Sequence, residues 1–140
     1  FFGILGIVQT VVIGIVSIAL LVGGLGIMNT MYMSVSERTK EIGVMKAIGA
    51  TENQILVIDL IESGVIGLIG GLIGTAVGLG VSEAAFYLVR TFSGIPIYPA
   101  RSITLILSAL GISFLLGAVS GFLPARKAAK LEPVEAIRKQ

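Results

Sequence analysis

The sequence predicts an all-α integral membrane protein: three transmembrane helices, a short charged helix on the cytoplasmic side and a cytoplasmic C-terminal tail. Three observations point there. Of 140 residues, 55% are apolar and 13% charged, with a mean hydropathy of +1.02. Soluble domains carry roughly 25% charged residues, so this chain has too little polar surface to cover a soluble core. The charges also fall in blocks, leaving residues 1–36, 63–82 and 102–123 with none. Within those runs glycine recurs at helical spacing.

Residues 1–36 form the first span. About 20 apolar residues cross the hydrocarbon core at ~1.5 Å per residue, so this run can cross and project beyond it. It is not a signal peptide, because it lacks a basic start and is far longer than an apolar h-region. A chain that begins at Phe1 rather than Met is expected to be a fragment or a processed product.

Residues 37–51 carry Glu37, Arg38, Lys40, Glu41 and Lys46. They predict a short helix from about Glu37 to Ile48, stopped by Gly49. Thr51 and Gln54 form a capping box that opens the next helix. That helix is the second span, residues 52–89. Asp59 and Glu62 fall near its inner end and Glu83 near its outer end. Membrane carboxylates are functional suspects, but these reach the interfaces. They are expected to anchor there or to pair with Lys46, Arg126 or Lys127. Residues 90–102 contain Gly94, Pro96 and Pro99 and read as an outer turn. Phe92 and Tyr98 suit an aromatic belt, and Ser102 can cap the third helix. The third span covers 103–123, with Pro124 ending it and residues 124–140 forming the tail.

Orientation follows from the basic residues. Arg38, Lys40 and Lys46 lie between spans 1 and 2, and Arg126, Lys127, Lys130, Arg138 and Lys139 follow span 3. Only Arg90 and Arg101 lie on the other side. The basic side is normally cytoplasmic, which puts the N-terminus outside, the C-terminus inside and any preceding part of the chain outside the cytoplasm.

The glycines of span 2, Gly64, Gly67, Gly71, Gly74 and Gly78, form one stripe that Ser82 extends. Milder stripes run through Gly3, Gly6, Thr10, Gly14, Ser17 and Gly24, and through Ala109, Ser113, Gly117 and Ser120. Burying leucine gains little in lipid, so close backbone approach at small residues takes over. The stripes serve tight packing in one bundle, or a contact with another copy that forms or slides.

The chain has no Cys and no His, which excludes thiolate and imidazole metal sites and a histidine base. No catalytic residue and no metal site are expected. The "GGLIGTAVG" run lacks the lysine of a phosphate-binding loop, so any ATPase belongs elsewhere. With a net charge of +2, the lipid bilayer is an expected partner and nucleic acid is not.

The charged segment can be a solvated connector or a surface that docks a protein, with Ile42, Met45 and Ile48 as its apolar contacts. At this point "SVSERTKEIGVMKAIGAT", the following "NQILVIDLIESGVIGLIGGLIGTAVGLG" and the terminal "PARKAAKLEPVEAIRKQ" resemble the C-terminal half of FtsX-like ABC permeases. This group includes MacB, LolC, LolE and FtsX. The resemblance covers essentially the whole chain and is nearest to the MacB type. Glu132 is a small departure, standing where the family tail often has Asp. The resemblance implies the last three of four helices, a paired permease that is a homo- or heterodimer, and a cytoplasmic ATPase that binds the ATP. The charged segment would be the coupling helix, carried over onto Glu37, Arg38, Thr39, Lys40, Glu41, Gly43, Lys46, Ala47 and Gly49. The output would be export or release of peptides, antibiotics or lipoproteins, or control of wall hydrolases. Two rival readings are a proton-translocating ring subunit and a membrane scaffold without energy coupling.

Overall fold

The computed structural model describes residues 2–94 and 102–131. Among them are α1 (Phe2–Glu37), α2 (Thr39–Ala47), α3 (Glu52–Ser93) and α4 (Ile103–Ala129), and no strand. In lipid every backbone polar group needs an internal partner, which a helix provides within one segment. α1, α3 and α4 are each long and apolar enough to cross a membrane. Expectations for Tyr98, Pro96, Pro99, Arg101, Glu132, Arg138 and Lys139 fall outside the described residues.

Three boundaries differ from the sequence expectation. α3 continues past residue 89 to Ser93 and stops at Gly94, which has φ 67° and donates its N–H to Arg90 O at 3.0 Å. Pro124 does not end the last span, because α4 runs through it to Ala129. A proline here forfeits one helical hydrogen bond. Tertiary packing makes up for it: Pro124, Ala125, Ala128 and Ala129 are all buried. At the start of α4, Ser102 occupies the N-cap but its side chain caps nothing. Its carbonyl instead accepts from Leu105 and Ile106 N–H, at 3.1 and 3.2 Å.

α3 and α4 form the main pair, and at Gly67 and Gly117 their contact is backbone against backbone. A Cβ added at Gly67 would collide with Ser113 O and meet Gly117 Cα at 3.0 Å. One added at Gly117 would collide with Ser63 O, and one at Gly121 with the Ser63 side chain. Gly64 faces the Phe114 ring, and Gly71 faces Ser113. The other side of α4 meets α1, where Gly24 lies against the Ser120 hydroxyl. α4 is thus the central helix, and its small residues point both ways.

The stripes are only partly used inside the chain. Gly74 and Gly78 have nothing within 4 Å of a built Cβ, and neither do Gly3, Gly6 and Gly14. Thr10 and Ser17 hydroxyls bond back to Gly6 O and Ile13 O at 2.9 and 2.8 Å. The α3 stripe from Gly67 to Gly78 lines an apolar groove whose other walls include Ala19, Gly23, Leu105 and Ala109.

These contacts set the expected effect of substitution. Gly67→Leu or Gly117→Leu forces the α3 and α4 backbones apart and destabilises by about 3 kcal/mol. Gly80→Leu, with open space at its Cβ, leaves stability within about 0.5 kcal/mol. Thermal unfolding of the detergent-purified variants, followed by monodispersity, measures the difference. Equal midpoints would remove the close contact as a source of stability.

Candidate functional site at the α2 junction

The best-buried part of the chain is where α2 meets the ends of the three long helices. Val35 from α1, Ile42 from α2, Ile55 from α3 and Ala128 and Ala129 from α4 form one buried cluster. Met45, Ala50, Leu56 and Leu131 pack around it. Met31 and Ser63 are also fully buried.

Local chemistry fixes α2 at both ends. Toward α1 only Arg38 interrupts the helix, and the ladder nearly continues: Arg38 N–H donates to Ser34 O and Ile42 N–H to Arg38 O, each at 3.0 Å. The Thr39 hydroxyl bonds back to the last turn of α1, 3.0 Å from Val35 O and 2.9 Å from Ser36 O. The charged segment is therefore an interrupted continuation of α1, and Glu37 belongs to α1. Toward α3 the chain reverses at Gly49, which has φ 106°. Ala50 N–H donates to Met45 O and Gly49 N–H to Lys46 O, at 2.9 and 3.0 Å. This pair of bonds is a Schellman cap, with the glycine in the left-handed position. The capping box follows at once. Thr51 N–H donates to Gln54 Oε1 at 2.9 Å, and Gln54 N–H to Thr51 Oγ1 at 3.3 Å.

Side chains then tie α2 to its neighbours. Arg38 donates through Nη1 to Glu62 Oε2 at 3.0 Å and through Nε to Glu41 Oε2 at 3.3 Å. The Glu41 hydrogen bond and the Glu62 charge raise the Arg38 pKa above its ordinary value. Lys46 Nζ donates to Leu131 O at 2.8 Å, just past the end of α4, and lies 4.0 Å from Glu52 Oε1. Lys127 lies over the Tyr32 ring, 5.5 Å from its centroid. The expected pairing of Glu62 with Lys46, Arg126 or Lys127 is thus replaced by Arg38. Asp59, 6% exposed, has an Oδ2 with no hydrogen-bond partner.

The FtsX-like permease C-terminal domain matches residues 2–133. The chain belongs to the FtsX-like permease family. Among its relatives, an uncharacterized ABC transporter permease of Methanocaldococcus jannaschii is 43% identical over 135 residues, which is 96% of this chain and 34% of that protein. The ABC transporter permease YknZ of Bacillus subtilis is 48% identical over 94% of this chain and 32% of its own length. The macrolide export ATP-binding/permease protein MacB of Wolinella succinogenes is 49% identical over 91% of this chain and 19% of its own length. The chain spans only about a fifth to a third of these relatives. Three apolar helices of crossing length together with this family make it a multi-pass membrane protein.

Within this permease domain the carried-over residues divide into two sets. Arg38, Thr39, Gly43 and Lys46 are buried or half-buried and face the junction, while Glu37, Lys40, Glu41, Ala47 and Gly49 are exposed. The apolar assignment changes as well. Ile42 is 4% exposed and Met45 packs on the buried cluster, so neither is available to a partner. Of the three apolar contacts expected, only Ile48 points outward, at 82% exposure, and Val44 joins it at 48%. The outward face is thus Glu37, Lys40, Glu41, Val44 and Ile48, spaced by three and four residues. That spacing is present in the sequence and could have separated Val44 from Met45.

Breaking the α2–α3 turn should weaken the junction without touching this outward face. Gly49→Val, strained at a positive φ, is expected to cost about 2 kcal/mol. Thr51→Ala removes half the capping box and costs about 1 kcal/mol. Thermal unfolding of each variant measures both, and a Gly49→Val protein as stable as the parent would show that the turn is not constrained.

Proposed function

We propose that this chain is the membrane-spanning part of a MacB-type ABC transporter, and that α2 couples a cytoplasmic ATPase to the spanning helices. The observation that carries this is the division of the segment 37–48, α2 with its flanking residues, into two faces. One face is fastened to the ends of α1, α3 and α4 through Ile42, Arg38 and Lys46. The other presents two apolar side chains, Val44 and Ile48, among Glu37, Lys40 and Glu41. Force applied to the outer face reaches all three long helices, because no flexible loop lies between. A docking surface needs an apolar anchor and charges that orient the partner, and this stripe supplies both.

On this reading ATP binds to the partner ATPase and not to this chain, and a second permease copy completes the transporter. The excess of basic residues at the α2 end and in the tail supports a cytoplasmic position for both. Movement passes to an extracytoplasmic domain outside this chain and drives export or release of a peptide, antibiotic or lipoprotein. The family and the relatives that combine ATP-binding and permease parts support the reading.

Val44→Asp and Ile48→Asp should reduce ATPase co-purification by about tenfold or more, with membrane insertion intact because neither side chain is buried. A single cysteine at residue 48 should react with an impermeant thiol reagent only from the cytoplasmic side. Full ATPase recovery and transport in both Asp variants would leave α2 as a connector, and labelling from outside would reverse the orientation.

A further inference from the structure

The cations near the α2 junction are of two kinds. Arg38 and Lys46 are engaged inside the protein, Arg38 with Glu41 and Glu62, and Lys46 with Glu52 and Leu131 O. Arg126 and Lys130, at the end of α4, are exposed, and among the described residues neither side chain meets a carboxylate. Lys127 beside them is also exposed and lies over the Tyr32 ring. Arg126 and Lys130 stand four apart on one helix face, where like charges repel. The helix dipole favours cations in a last turn, but it gives no reason for two of them to share a face.

What lies beside them follows from the continuation of α4 through Pro124. With no break there, steps of three and four residues put Val119, Phe122 and Leu123 on the same face as Arg126, Lys127 and Lys130. All six are exposed, and the buried Gly117, Gly121 and Ala128 occupy the opposite face. The exposed face is apolar up to Leu123 and cationic from Arg126. The charge-free run 102–123 is about 33 Å of helix, close to the roughly 30 Å of a hydrocarbon core. The core therefore ends near Leu123. Arg126 and Lys130 lie about 4.5 Å and about 10 Å beyond it, within or just past a headgroup layer about 5–7 Å thick.

We propose that this face of α4 is a binding site for an anionic phospholipid, with the phosphate between Arg126 and Lys130 and an acyl chain along Val119, Phe122 and Leu123. The lipid carries the same two chemistries in the same order and at the same depth, a negative headgroup followed by hydrocarbon. A free phosphate would match only the cations. An acidic protein surface would leave the apolar half of the face to other lipid. A headgroup bridging Arg126 and Lys130 turns their repulsion into shared attraction. Lys127, held by Tyr32, adds a third positive charge and joins the site to α1. The bound lipid fixes the depth of the α4 end, and with it Ala128 and Ala129 in the buried cluster that seats Ile42. The site requires only that α4 crosses a membrane and does not rest on the coupling reading.

The test titrates the detergent-purified full-length permease with phosphatidylglycerol and, separately, with phosphatidylcholine of the same acyl chains, counting bound lipid by native mass spectrometry. The parent should bind phosphatidylglycerol about tenfold or more tightly than phosphatidylcholine. Each cation at such a site contributes roughly fivefold in binding. The Arg126→Gln, Lys130→Gln double variant should therefore weaken phosphatidylglycerol binding by about twenty-five-fold and leave phosphatidylcholine binding unchanged. Both side chains are exposed, so the variant should fold. The charge-keeping double variant Arg126→Lys, Lys130→Arg should bind like the parent. Lys40→Gln removes one exposed charge from α2 and should have no effect. No preference for phosphatidylglycerol in the parent overturns the site. An equal loss in Lys40→Gln overturns it in favour of net charge alone. Displacement of the lipid by millimolar inorganic phosphate overturns it in favour of a free-anion site. Unchanged lipid binding in the Gln double variant, with ATPase co-purification lost, overturns it in favour of a protein partner. The Val44 and Ile48 variants decide the coupling reading separately.

Discussion

The whole arrangement depends on the approach of α3 and α4 at Gly67 and Gly117, where backbone meets backbone. In lipid there is no hydrophobic gain in hiding leucine, so only contacts closer than lipid chains can make will hold two helices together. A built Cβ at either glycine would strike the other helix, so the contact exists only because no side chain is there. It fixes α4 against α3, and α4 then receives α1 at Gly24 and Ser120 on its other side. It also carries the end of α4 to the junction, where Ala128 and Ala129 meet Val35, Ile42 and Ile55. Without that platform Ile42 would lose Ala128 and Ala129 from the buried cluster beneath it.

The junction explains how so charged a segment is seated against the long helices. Its charges do not all face solvent. Arg38 and Lys46 turn inward, one to a carboxylate on α3 and the other to a carbonyl past the end of α4. Partly exposed ion pairs add little stability, commonly under about 1 kcal/mol. Their value here is positional, since each joins α2 to a different long helix. The buried aliphatic cluster supplies the stability, and the Schellman cap and capping box fix the angle of entry into α3.

Much of this was legible in the sequence, and the parts that were not share a cause. The spans, the Gly49 stop and the Thr51–Gln54 box are encoded locally, by charge-free length, one glycine and a four-residue pattern. What failed to show was which neighbour each residue would meet. Pro124 read as a terminator because the burial of Ala125, Ala128 and Ala129 that holds the last turns is a tertiary fact. Ile42, Met45 and Ile48 read as one apolar set, although two face the core and one faces out. The glycine stripe was visible in full, but α4 covers Gly64, Gly67 and Gly71 and leaves Gly74 and Gly78 open. The spacing alone carried no sign of that division. Glu62 is an ordinary interfacial acid in the sequence, and its pairing to Arg38 across 24 positions needs the bend at α2 to bring them together.

The position of the close contact along α3 also bears on what coupling would accomplish. Gly67 lies fifteen residues from the α2 end of the helix at Glu52 and twenty-six from the other end at Ser93. These separations are about 22 Å and about 39 Å. A tilt of α3 pivoting on its tightest contact would therefore be enlarged by a factor of about 1.7 at the far end. A Cβ built at Gly74, Gly78 or Gly80 has nothing within 4 Å, so those positions of the longer arm are less tightly packed than Gly67. The inner arm is held by the buried cluster and by Arg38. A short, fastened arm on the side of the proposed ATPase and a longer, less constrained arm on the opposite side form a lever that enlarges displacement and reduces force. If the proposed coupling acts on α3, this ratio moves the far end farther than the α2 end, and it follows from where glycine, rather than leucine, was placed on two helices.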